Sequence, residues 1–320
     1  MTKQASLNSI LLSNRPQLSS VNGYRGRFAP SPSGFLHFGS LIAALASFLD
    51  AKSFVSTHGR SGEWLVRIED IDPPREQIGA SSAILTTLDA FGLHWDESVL
   101  YQSQQSELYQ DTLNDLQQHK LSYYCQCTRA EIKKLGGIYQ GHCRTLNHSK
   151  HNNATRLINQ HGIYQFNDLF QKQAQGKVEC EQALAQEDFI IHRKDGLFAY
   201  QLSVVVDDIY QNISHVIRGC DLLEPTARQL TLFATLNTPA PEYGHVPLAI
   251  TSTGYKLSKQ NKAPSINNNN PQPALIAALT FLGQSPDPTL VNEKVDDIII
   301  WAIHHWSRDK VPQVKEISIK

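Results

Sequence analysis

Between Arg27 and Ser40, a Pro/Ser/Gly turn, a histidine and a glycine come immediately before a helical run of apolar residues. Unpaired amides at a helix N-terminus bind phosphate, and Gly39 would let such a ligand approach the backbone closely. Ser40 is a suitable N-cap residue. An ordinary turn before a buried helix would need neither Arg27 nor His37. We therefore expect an anion-binding turn here, built around His37 and Gly39.

A second charged stretch follows the apolar run at residues 64–68, which suits a buried parallel strand. Glu69 stands at the end of that strand, as Arg27 does at the end of an earlier one. Ligands of open α/β sheets bind beyond the carboxyl ends of the strands, so these opposite charges should face one crevice. An amino acid carries both charges and could bridge them. Asp72 is expected to cap the next amphipathic helix.

Three cysteines in the middle of the chain form a candidate metal site. Cys125 and Cys127 are separated by one residue, and Cys143 follows further along. Three thiolates at this spacing can hold one zinc ion, which prefers tetrahedral coordination. On spacing alone, buried cysteines without a metal explain the pattern equally well.

The region around these cysteines is basic. Between His119 and Arg156 its only acidic residue is Glu131, and its basic residues are Lys120, Arg129, Lys133, Lys134, Arg144, Lys150 and Arg156. Such a patch in a chain of net formal charge -1 suggests contact with a phosphate backbone of RNA. The alternative is an ordinary solvated face of a small metal-bound loop.

Composition sets wider limits on the class of protein. The 320 residues suffice for one large domain with an insertion or for two domains. Lys and Arg total 29 against 30 Asp and Glu, so only local clusters can argue for nucleic acid. Five cysteines, an odd number, argue against a secreted disulfide framework. No apolar run approaches the roughly 18 residues of a membrane span. We therefore expect a cytoplasmic enzyme with no membrane partner.

Several of these stretches resemble the class I glutamyl-tRNA synthetases. Residues 27–40 read R-F-A-P-S-P-S-G-F-L-H-F-G-S, similar to the family's first signature, in which an H-I-G-H type element contacts ATP. R-I-E-D-I-D-P-P-R at 67–75 resembles its segment that contacts the substrate ammonium group. F-A-Y-Q-L at 198–202 and I-R-G-C-D-L-L at 217–223 resemble its amino-acid pocket. K-L-S-K-Q at 256–260 resembles the second signature, K-M-S-K-S, with Leu257 and Gln260 as departures.

The resemblance implies an α/β Rossmann-like nucleotide-binding fold, and it implies roles for individual residues. The implied catalytic residues are His37 and Lys259. The implied glutamate-binding residues are Arg27, Ser31, Glu69, Tyr200 and Arg218. The implied ATP-binding residues are His37, Gly39, Lys256 and Lys259. It also implies one structural Zn²⁺, for which it favours the ligands Cys125, Cys127, Tyr139 and Cys143, with His142 as the competing ligand.

Charge supports an acidic substrate. Arg27 and Arg218 with Glu69 give the expected site a net charge of +1, which suits glutamate, a ligand of net charge -1, better than glutamine. The two lysines of the second signature could follow the negative charge that moves onto pyrophosphate when a carboxylate attacks the α-phosphorus of ATP.

We expect five segments along the chain. These are a loose extension (1–23), the first half of the catalytic domain (24–104), an inserted zinc-containing module (105–187), the second half of the catalytic domain (188–242) and a C-terminal segment that contains the second signature and a short helical region (243–320). The chain continues only about 60 residues beyond that signature, whereas a full glutamyl-tRNA synthetase would continue into an anticodon-binding region.

This shortening, the H-F-G-S element and the cysteine module together resemble the glutamyl-Q tRNA(Asp) synthetases, over roughly residues 25–306. That resemblance implies a monomer that activates L-glutamate with ATP and Mg²⁺ without needing tRNA. It then transfers glutamate to the queuosine base in the anticodon loop of tRNA(Asp). A minimal glutamyl-tRNA synthetase that charges a tRNA 3′ end and a non-catalytic RNA-binding paralogue are the alternatives.

Overall fold

The computed structural model describes residues 13, 23–55, 57, 59, 61–171, 177–251 and 264–319. The second signature, with Lys256 and Lys259, lies outside the described residues. Nearly all of the extension expected over 1–23 also lies outside them.

Helices and short strands alternate along the described chain. The α-helices are α1 (Phe38–Lys52), α2 (Ala80–Ala90), α3 (Ser106–Gln118), α4 (Arg129–Lys134), α5 (Gln182–Gln186), α6 (Tyr200–Tyr210), α7 (Leu223–Thr235), α8 (Gln272–Phe281) and α9 (Val295–His305). The strands are β1 (Arg25–Phe28), β2 (Glu63–Ile68), β3 (Leu100–Tyr101), β4 (Ser122–Cys125), β5 (Ala154–Leu157), β6 (Gln165–Asn167), β7 (Lys177–Glu179), β8 (Ile190–His192), β9 (His215–Gly219), β10 (Glu242–Val246), β11 (Leu248–Ile250) and β12 (Glu316–Ser318).

The main sheet has five strands in the order β10-β9-β1-β2-β3, and every neighbouring pair is parallel. Arg27 of β1 is in register with Leu65 of β2, so both strands end at the same edge of the sheet. Parallel strands need crossover connections, and α1 supplies the one between β1 and β2. The α/β class predicted from the sequence is confirmed.

Helix α1 is the helix expected after Ser40, and it lies at the centre of the largest hydrophobic core. Leu41, Leu45 and Leu49 are at most 1% exposed. One side of α1 contacts β1 and β9, and the other contacts α8 and α9. The helix therefore fixes its own N-terminus at the carboxyl edge of the sheet.

The helix expected after Asp72 begins later than predicted. Asp72 precedes only a 3₁₀ turn, Pro73–Arg75, and its carboxylate pairs with Arg75 and Arg193 and caps no backbone amide. Helix α2 begins at Ala80, after Gly79, whose φ of 78° is favourable for glycine. The prediction that Asp72 caps the amphipathic helix was wrong, because its side chain pairs with arginines and the chain returns to an extended conformation at Glu76.

The middle of the chain forms a smaller antiparallel sheet, β4-β5-β8, against α3 and α6. The polar stretch at 152–187, which gave no sequence signal, contains β5 and the hairpin β6-β7. Directly after β6, Asp168 forms an isolated parallel bridge with Tyr243 of β10. This short segment therefore reaches the main sheet.

Candidate active site

A cavity of about 270 Å³ opens at the carboxyl ends of β1, β2 and β9. Its wall includes every described residue that the sequence assigned to glutamate or ATP: Arg27, Ser31, His37, Gly39, Glu69, Tyr200 and Arg218. These residues come from distant parts of the chain. The strand ends, the N-terminus of α1 and the N-terminus of α6 bring them together.

The anion-binding turn has a different cap from the one expected. His37 is the N-cap of α1, its Nδ1 accepts from the Ser40 amide at 3.3 Å, and the Ser40 hydroxyl accepts from the His37 amide at 2.7 Å. The prediction of Ser40 as N-cap was wrong because this reciprocal pair places Ser40 three positions into the helix. Since Nδ1 of His37 is an acceptor, the ring proton of the neutral imidazole lies on Nε2.

Described residues on both sides of 252–263 lie beside the cavity. Leu248 and Ala249 belong to its wall. After the gap, Ser265 forms an antiparallel bridge with His37, and the Ile266 amide donates to the Leu36 carbonyl at 3.2 Å. The turn that leads into α1 is therefore in contact with the chain that follows the second signature.

Arg27 is buried against a carboxylate that the sequence analysis did not assign. Its Nε and Nη2 donate to the two carboxylate oxygens of Asp208 at 3.1 and 3.2 Å. Asp208 also accepts from Arg67 Nη2 at 2.7 Å. Burial alone would raise the pKa of Asp208, but the positive charges of Arg27 and Arg67 outweigh burial and lower this pKa. Arg27 therefore enters the cavity wall with its charge already paired.

Asp207, next along α6, is held differently. It accepts from Gln102 at 2.6 Å and from the Tyr109 hydroxyl at 2.8 Å, and Arg67 Nε lies 3.7 Å from it. Burial raises the pKa of Asp207 to about 7, and Arg67 opposes that rise.

The net charge of +1 expected from Arg27, Arg218 and Glu69 therefore left out charged groups that are buried beside them. Arg67 and Asp208 add charges that cancel, so the balance depends on Asp207. Arg27, Arg67, Arg218, Glu69, Asp207 and Asp208 together carry no net charge when Asp207 is ionised and +1 when it is protonated. The cavity wall contains one further acidic residue, Asp221. No role was assigned to Arg67, Asp207 or Asp208 from the sequence, because their ion pairs join segments that are far apart in the chain.

Glu69 stands at the end of β2, as predicted, and is half-buried in the cavity wall. Its amide donates to the Pro30 carbonyl at 3.0 Å, which ties the two strand ends together. Burial raises the pKa of Glu69, while Arg67 and Arg27 oppose the rise. A carboxylate in such a position can accept hydrogen bonds from a substrate ammonium group.

Arg218 is 4% exposed, and all of its recorded acceptors are neutral groups. Nε donates to His245 Nε2 at 3.1 Å. Nη2 donates to Thr226 Oγ1 at 2.7 Å and to Gln229 Oε1 at 2.8 Å. Nη1 is buried without a hydrogen-bond partner among the described residues. A buried guanidinium nitrogen without a partner is costly, so the cavity that Arg218 lines is suited to an anion.

Tyr200 is the first residue of α6 and is half-buried. Burial raises the pKa of Tyr200, and the nearby Arg218 opposes the rise, so the phenol remains a neutral donor and acceptor. The F-A-Y-Q-L stretch thus enters a helix, and its tyrosine lies at the mouth of the same cavity.

Two residues behind Arg218 were missed by the sequence analysis. His245 of β10 is fully buried, and its Nδ1 lies 2.5 Å from Asp168 Oδ2. The sequence contains a signal for His245, because a histidine within an apolar strand of a parallel sheet is unusual and suggests a specific partner. Asp168 had no visible signal, because it lies in the polar stretch after β6 that showed no periodicity.

The cysteine cluster lies in the smaller sheet, and its residues do not line the cavity. The Sγ atoms of Cys125, Cys127 and Cys143 all lie within 4.8 Å of one another, and those of Cys127 and Cys143 are 3.5 Å apart. Burial alone would raise the pKa of Cys143, but hydrogen bonds with the Gln126 amide and the Tyr139 hydroxyl outweigh burial and lower this pKa to about 7. Soft thiolates gathered in this way fit a tetrahedral metal such as zinc.

Tyr139 and His142 differ in their position relative to this cluster. The Tyr139 side chain is buried, and its hydroxyl accepts from the Cys143 amide at 2.8 Å. The Arg156 guanidinium stacks over the Tyr139 ring, with its Cζ 3.7 Å from the ring centroid. His142 is exposed and is not part of the ligand cluster.

The basic patch is smaller than its sequence suggests. Arg156 is 3% exposed and donates to the Asp188 carbonyl, and Arg144 forms a bidentate pair with the Asp188 carboxylate. These two arginines brace the module and are not free for a phosphate. The other bases of the patch, Lys120, Arg129, Lys133, Lys134 and Lys150, are exposed.

A second cavity, of about 440 Å³, adjoins the hairpin that precedes α6. Its ionisable wall residues are all bases: Lys150, His151, His192, Arg193 and Lys194. Arg193 pairs with Asp195 and reaches Asp72 at 3.6 Å, beside the loop that follows Glu69. The basic cavity is therefore lined by the hairpin that leads into Tyr200, a residue of the active-site cavity wall.

Within the described ranges, no helix is both long enough and apolar enough to cross a membrane.

Comparison with known proteins gives one family. Residues 24–296 match the family model for the catalytic domain of class I tRNA synthetases (E and Q). A protein of Colwellia psychrerythraea named glutamyl-Q tRNA(Asp) synthetase is 72% identical over 301 residues, which cover 92% of this chain and 94% of that protein. A protein of Escherichia coli with the same name is 52% identical over 290 residues, which cover 91% of each chain.

Solved structures share the fold. The glutamate-tRNA synthetase of Elizabethkingia anophelis superposes with a TM-score of 0.73 at 23% identity, over 93% of this chain and 68% of that chain. A glutamate tRNA ligase of Elizabethkingia meningosepticum, in complex with its amino acid, gives a TM-score of 0.73 at 22% identity, over 93% and 67% of the two chains. The Rossmann-like fold predicted from the sequence is confirmed.

Proposed function

The chain belongs to the class I tRNA synthetase family for glutamate and glutamine (E and Q), and we propose that it activates L-glutamate with ATP without needing RNA. It then transfers glutamate to the queuosine base in the anticodon loop of tRNA(Asp). Two relatives named glutamyl-Q tRNA(Asp) synthetase, 72% and 52% identical to this chain, support this choice of acceptor.

One observation carries the activation step. A single cavity combines the N-terminus of α1, the carboxylate of Glu69 and the buried guanidinium of Arg218, whose Nη1 lacks a partner among the described residues. A glutamate molecule offers an ammonium group to the carboxylate and a carboxylate to the guanidinium. The helix N-terminus offers its amides to the phosphates of ATP.

In the activation step, the α-carboxylate of glutamate attacks the α-phosphorus of ATP. The bond to pyrophosphate breaks, and glutamyl-adenylate and pyrophosphate are formed. ATP enters as its Mg²⁺ complex. His37 and Gly39 would contact the ATP phosphates, since both lie at the start of α1 in the cavity wall. Contacts that strengthen as charge moves onto pyrophosphate accelerate the step.

The amino-acid contacts follow from the charges of the wall. Glu69 would accept from the ammonium group, and Arg218 would donate to a carboxylate of the substrate. Arg27, which is paired with Asp208, keeps its remaining Nη1 donors for the same ligand. Ser31 and Tyr200 would complete the pocket as neutral hydrogen-bonding groups in its wall.

We assign Lys259 as the catalytic lysine of the second signature and Lys256 as its companion on ATP. Both lie outside the described residues, and their assignment rests on the K-L-S-K-Q resemblance. The described residues on either side of this segment lie beside the cavity, which supports a role at the phosphates.

In the transfer step, a nucleophile on the queuosine base attacks the glutamyl carbonyl, and AMP leaves. Incubation with radiolabelled glutamate and ATP, and with tRNA(Asp) containing queuosine, tRNA(Asp) lacking it or tRNA(Glu), tests this acceptor. We expect label only on the queuosine-containing tRNA(Asp). Alkali-labile label on the 3′ end of tRNA(Glu) would identify a minimal glutamyl-tRNA synthetase.

We propose one structural Zn²⁺ held by Cys125, Cys127, Tyr139 and Cys143. The three thiols are gathered and the Tyr139 hydroxyl is beside them, which supports this set. A bound ion would stabilise thiolates and a phenolate and would close the loop between β4 and Cys143. The cluster does not line the active-site cavity, so we give the ion no step in the reaction.

The basic cavity offers a contact for the RNA. Its five basic wall residues lie beside the hairpin that leads into Tyr200, so a phosphate bound there would be next to a base in the active site. We also propose that the enzyme acts as a cytoplasmic monomer. Its five cysteines are all free, which suits a reducing compartment.

A further inference from the structure

We propose that His245 and Asp168 are positioning residues that orient the Arg218 guanidinium and leave its charge available to the substrate carboxylate. This inference rests on the proposed function, because it requires glutamate to bind in the cavity that Arg218 lines. Neither residue is part of the cavity wall, so both act through Arg218.

The sheet places the three side chains in a row. Arg218 of β9 and His245 of β10 are register partners on neighbouring parallel strands, so their side chains project on the same side. Arg218 Nε lies 3.1 Å from His245 Nε2, and His245 Nδ1 lies 2.5 Å from Asp168 Oδ2. The side chains of His245 and Asp168 are completely buried. Water cannot replace either contact without opening the sheet edge.

Arg218 determines the tautomer of His245. A guanidinium has only donors, so His245 Nε2 must be the acceptor and the ring proton must lie on Nδ1. That proton is donated to Asp168. Burial lowers the pKa of His245, which keeps the ring neutral. A protonated ring would present a second donor and a like charge to Arg218.

Asp168 is itself held in one orientation. Its Oδ1 accepts from the amides of Phe170 at 2.9 Å, Gln171 at 2.8 Å and His245 at 3.1 Å. Its Oδ2 is left for the imidazole. Burial alone would raise the pKa of Asp168, but hydrogen bonds with His245 and these amides outweigh burial and lower this pKa. An ionised carboxylate therefore faces Nδ1.

The neutral ring separates two charges that would otherwise pair. Arg27 contacts the Asp208 carboxylate directly, and its charge is compensated inside the protein. Among the described residues, Arg218 donates hydrogen bonds to a neutral imidazole, a hydroxyl and a side-chain amide, and its hydrogen-bonded chain reaches the Asp168 carboxylate through His245. Arg218 is therefore held in place without being neutralised. Selection of an acidic ligand depends on this arrangement.

Substitution of Asp168 by Asn tests the tautomer directly. The three backbone amides are donors, so the Asn oxygen stays on their side and its NH₂ group faces His245 Nδ1. The imidazole proton must then move to Nε2, where it faces the Nε donor of Arg218 and competes with it for the Thr226 hydroxyl, 3.1 Å from Nε2. Substitution of His245 by Gln should preserve the contact with Arg218, because the amide oxygen can accept in place of Nε2. A glutamine side chain also has no tautomers, so this acceptor does not depend on Asp168. His245→Leu supplies no acceptor.

Glutamate-dependent ATP/pyrophosphate exchange gives the KM for glutamate and for ATP separately. We expect D168N and H245L to raise the KM for glutamate by about tenfold or more, with the KM for ATP within about twofold of wild type. H245Q should stay close to wild type. In the H245Q background, D168N should add less than about a twofold change, because the two residues act in series.

Asp50→Asn is the matched control. Asp50 is a buried carboxylate at the far end of α1 that accepts from Tyr24, Trp306 and Arg308. D50N should lower the unfolding temperature without changing the KM for glutamate. Wild-type KM in D168N and H245L, an equal effect of D168N in both backgrounds, or an equal rise in D50N would overturn the positioning role. No exchange by the wild-type enzyme would instead refute the proposed function.

Discussion

The guanidinium of Arg27 and the carboxylate of Asp208 form a bidentate pair inside the protein, with N–O distances of 3.1 and 3.2 Å. Arg218, in the wall of the same cavity, donates only to neutral acceptors within the described part of the chain. The two arginines assigned to glutamate therefore differ in charge balance. Arg27 is a braced part of the wall, and Arg218 is the cation left for an acidic ligand.

The first prediction concerns selectivity for glutamate. Arg218→Gln should raise the KM for glutamate in ATP/pyrophosphate exchange by roughly 10- to 100-fold, because a charge-assisted contact contributes about 1.5–3 kcal/mol. The preference for glutamate over glutamine should fall by a similar factor. Arg308→Gln, which removes an arginine paired with Asp50 away from the cavity, is the control. Unchanged selectivity in R218Q would show that the surplus cation lies elsewhere.

The second prediction is a pH dependence of stability caused by Asp207. The unfolded carboxyl loses its proton near pH 4, and the folded one near its raised pKa of about 7. Between these values the folded state binds more protons, so the contribution of Asp207 to stability falls as pH rises from about 4 to about 7. Above that range its contribution is constant.

Urea unfolding of wild type and D207N at several pH values measures this effect. The free energy of unfolding of wild type minus that of D207N should decrease from about pH 5 to about pH 7 and then level off. The difference cancels the titration of groups that do not interact with Asp207. A difference that stays constant over this range would exclude a raised pKa for Asp207.

The third prediction concerns the metal. C143S should purify with almost no zinc, and its unfolding temperature should fall by roughly 5 °C or more, because metal binding contributes to folding. Glutamate-dependent exchange should persist within about threefold of wild type, since the cluster does not line the cavity. C180A, which alters a buried cysteine outside the cluster, should retain one zinc per chain. Zinc in C143S equal to wild type would contradict the assigned ligands.

The fourth prediction tests the basic cavity. Replacement of Lys150 and Lys194 by Gln should weaken binding of tRNA(Asp) and reduce the slope of log affinity against log salt by about one per lost phosphate contact. Exchange without RNA should be unchanged. K310Q, which removes an exposed lysine outside this cavity, should leave the slope as in wild type. A slope unaffected by K150Q/K194Q would place the RNA elsewhere.

The sequence was sufficient for the parts of the site that lie at strand ends. Arg27 and Glu69 each follow an apolar run, and parallel strands end at one edge, so their meeting could be predicted. The motif resemblance added Tyr200 and Arg218, which the cavity also contains. Local pattern and the resemblance together were enough here, because each side chain is placed by the element that carries it.

The supporting groups could not be predicted, because tertiary pairing determines them. Asp208 finds Arg27 only after α6 packs behind the sheet, and Asp168 finds His245 only when a polar segment reaches β10. The cap of α1 was assigned to Ser40 because a serine near a helix start suits that role. The backbone places His37 at the cap three residues earlier, and N-cap preferences favour serine, so propensity alone selects the wrong residue.

Glutamate-dependent ATP/pyrophosphate exchange, measured with no RNA present, tests the central claim most directly. We predict rapid exchange with L-glutamate and exchange with L-glutamine lower by about 100-fold or more, because the cavity holds a buried arginine that has no carboxylate hydrogen-bond partner among the described residues. Absence of exchange by folded, zinc-loaded enzyme, or equal exchange with both amino acids, would contradict it.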